Sequence, residues 1–150
     1  MSGKTNPVSA AVLDLFRNSG ISPYGSTWVT LFTTNPTSDG DGSTYGSGYV
    51  EWTATGARVR VYNVSTSDPH WTAPAVDSEF PNRMEIHNSS VVGWTAVAGL
   101  TGSVTVKGIG IFDQETGGNL LYWDTLESER LVSNGDTYQF LTGSLKVRED

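Results

Sequence analysis

Two histidines, His70 and His87, sixteen aspartates and glutamates and no cysteine make up the chain's stock of side chains for acid–base, nucleophilic or metal chemistry. Without cysteine there is no thiolate nucleophile, no zinc–thiolate site and no disulfide, and two histidines cannot build an imidazole-rich metal centre within one chain. Neither histidine lies in a recognisable catalytic motif, and no G-x-S-x-G elbow leads from a strand into a helix, so each reads as a satisfied or solvent-facing residue. The carboxylate pairs Asp113/Glu115 and Glu127/Glu129 have the chemistry of a glycosidase's acid and base, but their places at a turn and in a charged connection fit solvated loops better. Asp39-Gly40-Asp41-Gly42-Ser43 sets oxygens at alternate positions, as a hard cation requires. An EF-hand loop begun at Asp39 would need Gly where Thr44 stands and Glu where Val50 stands, so the segment reads as a Gly/Asp turn. No glycine loop precedes a helix to cradle phosphate. These residues predict no enzyme, no cofactor and no metal.

The aromatic residues offer contact instead of chemistry. Of the five tryptophans, Trp28, Trp52, Trp94 and Trp123 fall in strand-like runs and read as core or intersheet packing, whereas Trp71, with Tyr45, falls in a loop. Trp71 and Tyr45 are therefore the aromatic candidates for subunit or receptor contact.

Short runs rich in Val, Thr, Tyr, Trp, Phe and Ile must position these residues. Bounded by Gly, Pro, Asn and Asp, they predict strands near residues 27–33, 49–53, 58–64, 83–88, 91–97, 104–112, 119–124, 137–141 and 144–148. In Arg58-Val59-Arg60-Val61 the arginines share one face and the valines the other, the pattern of a strand with one wet and one dry side. Two turns are well specified: 113–118 reverses the chain before Asn119, and Asn134-Gly135 suits a type I′ hairpin between Leu131-Val132 and Tyr138-Gln139-Phe140. Gly108 and Gly110, inside a strand pattern, mark a bulge or a close backbone approach. The one helical signal lies near the start. Asn6 caps, Pro7 suits the first helical position, and Val8, Ala11, Val12, Leu15 and Phe16 recur at helical spacing before Gly20. Val8, Val12 and Phe16 are candidate contacts, either over one open end of a sheet or as an arm on a neighbouring subunit. The expected architecture is all-β, an antiparallel, jelly-roll-like β-sandwich over residues 25–150 with an arm and short helix over 1–24, forming one domain.

Charge bounds the partners. Nine Lys and Arg against sixteen Asp and Glu give a net charge of −7, which repels a phosphate backbone and argues against nucleic acid. No run of about 20 apolar residues suits a membrane span, and the start lacks the basic leader and apolar run of a signal peptide, so a protein that is cytosolic when made is expected. The long loops 35–48 and 65–81 are the size that small domains use for contacts.

Three stretches read together carry a resemblance: Trp28-Val29-Thr30-Leu31-Phe32-Thr33-Thr34-Asn35-Pro36-Thr37, then Gly46-Ser47-Gly48-Tyr49, then Gly110-Ile111-Phe112-Asp113 with Gly117-Gly118-Asn119-Leu120-Leu121. Glu79-Phe80-Pro81, Gly135-Asp136 and Gly143-Ser144-Leu145 complete the order. The chain resembles a family of small tailed-bacteriophage virion proteins, labelled as tail-fibre-like or capsid cement proteins. Where that family commonly has Arg after G-x-G-Y, this chain has Val50-Glu51-Trp52, so the contact of that Arg does not carry over. The resemblance implies a β-sandwich assembled on the virion as a homo-oligomer, a trimer being favoured. It implies a cement or decoration protein on the outer capsid surface, with the major capsid protein as partner. The alternative is a tail-fibre or tail-tip adhesin that binds host glycans through Tyr45 and Trp71.

Overall fold

A computed structural model describes residues 3–4, 26–36, 48–52, 58–63, 71–94 and 100–149. The helix expected within 1–24, and with it Val8, Val12 and Phe16, lies outside the described residues, as do Tyr45, His70 and the Asp39–Ser43 turn. The described elements are all strands and all their pairings are antiparallel, as the sequence predicts.

The main sheet is built around β2 (Ser26–Thr34), β8 (Ser103–Phe112) and β9 (Leu120–Ser133). The short β1 (Gly3–Lys4) pairs with β9 at Tyr122 and Trp123. On the far side of β2, β3 (Val50–Glu51) and β4 (Val59–Asn63) share one edge, β4 at Ser26 to Val29 and β3 at Phe32 to Thr34. Two smaller sheets complete the fold. β7 (Val92–Trp94) pairs with β10 (Tyr138–Phe140), and β6 (Met84–His87) lies between β5 (Ala75–Val76) and β11 (Lys146–Glu149).

Alternation decides what each face buries. Val29 and Leu31 of β2 stand opposite Ile111 and Ile109 of β8, and these four join Trp52, Val61, Val92, Trp94, Val132 and Leu145 in the larger core. That face is therefore covered by the small sheets. The even-numbered residues of β2 point the other way, where Phe32 packs with Phe112, Leu120 and Trp123 in a second cluster. On β8 the buried parity switches: Val106 belongs to the larger core, and so do Ile109 and Ile111. A bulge explains the switch, since Val106 pairs with Arg130 while Gly108 pairs with Thr125, leaving four residues of β9 opposite Lys107 alone. Gly108 and Gly110 meet both expectations for a strand glycine. They flank and follow that bulge, and a Cβ on Gly108 would strike the Asn35 side chain, one on Gly110 the Phe32 ring.

Two expectations are corrected. The strand expected at 119–124 runs on to Ser133, because Leu131-Val132 pairs with Val104-Thr105 and the carboxylates Glu127 and Glu129 lie in the strand's bulged, exposed stretch rather than in a connection. Asn134-Gly135 does make a tight turn, with the Asp136 N–H donating to Ser133 O at 3.1 Å and Gly135 at a φ of 88°. It does not make a hairpin, because β10 leaves β9 and pairs with β7, where Tyr138 and Phe140 pack against the larger core. A turn dipeptide specifies a local reversal; which strand the chain meets next is decided by where its apolar residues are buried.

Candidate functional site

The residues that carried the resemblance turn out to be joints of the fold. The Tyr49 ring sits 5.0 Å from Phe32 and 5.8 Å from Phe112, joining the G-x-G-Y start to β2 and β8. Its hydroxyl is held above the usual value of 10 by burial and by Glu51, against the pull of Arg58. Asp113 closes the β8–β9 hairpin, accepting from Asn119 N at 2.7 Å and Asn119 Nδ2 at 2.9 Å, with Gly117 and Gly118 at positive φ. Asp136 accepts from Ser133 N at 2.8 Å across the Asn134-Gly135 turn.

Gly143 and Leu145 meet at Asn88, which is fully buried. Its Nδ2 donates to Ser90 O at 2.7 Å and Leu141 O at 2.9 Å, its Oδ1 accepts from Leu145 N at 2.9 Å, and its backbone carbonyl accepts from Gly143 N. Glu79 and Phe80 donate their N–H groups to Asp77 Oδ1, while Arg148 Nε lies 2.8 Å from Asp77 Oδ2. Burial raises the Asp77 pKa, but the Glu79 N–H, the Arg148 guanidinium, the Phe80 N–H and Lys146 together hold it below the usual carboxylate value.

Arg58 is a joint that sequence reading took for the wet side of a strand. Only 7% of its side chain is exposed. It grips Glu51 with Nη2 at 2.6 Å and Nε at 3.0 Å, donates from Nη1 to Gln114 O and Gly117 O, and lies 3.4 Å over the Phe112 ring. The planar fork thus fastens the β3 edge, the head of β4 and the β8–β9 hairpin together. The signal available in the sequence was the lone Glu51, seven positions away, which alternation alone could not connect to it.

Of the aromatic candidates, Trp52, Trp94 and Trp123 are buried and Trp28 is half-buried, as their strand positions predict. Trp71 is half-buried: its Nε1 donates to Thr27 Oγ1 at 3.0 Å, its backbone bridges to Asn88, and its ring packs on the larger core. His87 is half-buried on β6, with Nδ1 4.0 Å from Glu85 Oε1. No group of three or more His, Asp or Glu that could hold a metal ion occurs among the described residues.

Among the described residues, the surface carries exposed apolar side chains and a groove. Val76 and Met84, directly paired across β5 and β6, are both exposed, as are Leu141 and Val91 beyond the ends of the β7–β10 pair and Leu131 on β9. The groove, of about 870 Å³, opens between β9 and the layer formed by β10 and β11.

Fold and joints together define an antiparallel all-β structural domain whose outward features are strand edges and a cleft. A family model described as Podophage GP4 fiber I protein gp80 matches residues 3–148, and the chain belongs to that family. It is a structural component of a tailed-phage virion. A search of curated proteins returns no match.

Proposed function

We propose that the chain is a fibre subunit of the virion, a non-enzymatic β-domain that holds its neighbours through its exposed strand edges. The match to a fibre protein family along residues 3–148 carries this reading. Its physical support is exposed Val76 on the edge strand β5, which stands opposite exposed Met84 on β6, together with exposed Leu131 and Leu141: apolar surface that protein contact would remove from water. Self-association through such edges is part of the proposal.

The cement reading would place the same chain on the outer capsid surface against the major capsid protein. Cryo-EM of the parent virion, with copies counted by quantitative mass spectrometry, separates the two. Density confined to the tail or its vertex, in numbers far below those of the major capsid protein, is the expected result. Copies in lattice stoichiometry with the major capsid protein would replace the fibre reading by cement.

A further inference from the structure

An asparagine side chain can react with its own backbone. The nitrogen of the following residue attacks Cγ and closes a five-membered ring, an intramolecular step whose rate rests on how freely the two atoms meet. The fold sorts the asparagines by this criterion. Asn35 is followed by Pro36, which has no N–H. After Asn82, the Arg83 N–H is committed to Phe80 O at 2.9 Å. Asn88 is fully buried with its Nδ2 and Oδ1 both bonded, and Asn119 Nδ2 is held by Asp113 Oδ2 at 2.9 Å, with Leu120 already in β9. Asn134 has none of these protections. It is exposed, as is Gly135 beside it, and neither its side chain nor the Gly135 N–H makes a hydrogen bond among the described residues. The bonds that hold the turn, Asp136 N to Ser133 O and Ser133 N to Asp136 Oδ2, leave the reacting pair untouched. Gly135, at a φ of 88°, has no side chain to crowd the approach, and even a Cβ there would meet nothing within 4 Å.

We propose that Asn134-Gly135 is a site of spontaneous covalent modification, at which the chain deamidates and isomerises. Gly135 N bonds to Asn134 Cγ and gives up its proton to solvent, and the Cγ–Nδ2 bond breaks to release ammonia, which leaves a succinimide. Water, the one co-reactant, then opens the ring. Addition at Cγ restores the backbone with an aspartate at position 134. Addition at the main-chain carbonyl carbon leaves the backbone running through Cγ, an isoaspartate that lengthens the chain by one methylene. Residues 134–137 are the whole link from β9 to β10, whose Tyr138 and Phe140 pack against the larger core, so the isoaspartate alters the link that places them. The site stands whichever part of the virion carries the chain.

The test is incubation of the purified full chain in mildly alkaline buffer, followed by mass spectrometry of its peptides. The peptide holding Asn134 should gain the mass of an amide-to-acid exchange and separate into aspartate and isoaspartate forms, the second labelled by protein isoaspartyl methyltransferase. Conversion at Asn134 should run at least about tenfold faster than at Asn82, Asn88 or Asn119, a barrier lower by about 1.4 kcal/mol. Asn134→Gln, an exposed change that leaves the backbone as it is, should lose the gain at this position. The proposal falls if the folded chain leaves Asn134 intact, if Asn82, Asn88 or Asn119 converts as fast, or if aspartate forms without isoaspartate, which would indicate direct hydrolysis of the side chain instead of ring closure by Gly135.

Discussion

At the scale of single residues, the polar side chains that matter hold strands to one another. Arg58 satisfies its guanidinium on Glu51, Gln114 and Gly117 at once, so Arg58→Ala leaves a largely buried carboxylate and two carbonyls without their donor. Urea unfolding should show a loss of roughly 3 kcal/mol or more, the usual cost of breaking one side of a buried pair. Arg58→Lys should recover little of it, because a point ammonium cannot reproduce the fork.

Asp77 makes a prediction about pH. Its folded pKa lies below the ordinary 3.8, so its contribution to stability is fully present above that value and drains away as pH falls through the depressed folded value. Melting temperatures measured from about pH 5 down to about pH 2 should fall steeply for the parent chain, and Asp77→Asn should flatten that slope while lowering stability at neutral pH.

At the scale of elements, the central hairpin was legible and its detail was not. β2 and β8 announce themselves by alternation and β-branched residues, and the β8–β9 reversal by Asp113 with Gly117-Gly118. The continuation of β9 past Asp124 was hidden because Glu127, Ser128 and Glu129 look like a loop; they form strand only by bulging opposite Lys107. The glycines of β8 give a direct test of the packing. In Gly110→Ala the new methyl meets the Phe32 ring in the second core cluster, and denaturant titration should register a loss of about 1–3 kcal/mol, the range for overpacking. Gly135→Ala is the control: nothing lies within 4 Å of its Cβ, so only the positive-φ backbone cost of about 1 kcal/mol should appear. Equal losses in the two variants would contradict the close approach of Phe32.

At the scale of the whole molecule, Asn88 links β6 to the segment between β10 and β11. Asn88→Ala removes the partners of Ser90 O, Leu141 O and the Leu145 N–H together, and stability should drop by roughly 2–4 kcal/mol, with the Leu145 amide losing its protection from hydrogen exchange. A fall in global stability with Leu145 still protected would show that the link is not made through this side chain. The amino-acid sequence by itself determined the class: low charge, no cysteine and short β-branched runs between turn residues leave an antiparallel all-β domain, and the spaced G-x-G-Y, G-I-F-D and G-x-L segments point to the virion family. Those signals are local, held in a residue and its near neighbours along the chain. Tertiary structure alone decided that β10 leaves β9 for β7, that Arg58 turns inward to Glu51 and the hairpin carbonyls, and that a groove stays open between β9 and β10. Each of those outcomes depends on burial shared between residues far apart in sequence, where a strand's partner is chosen by the apolar surface it can cover rather than by the turn that precedes it.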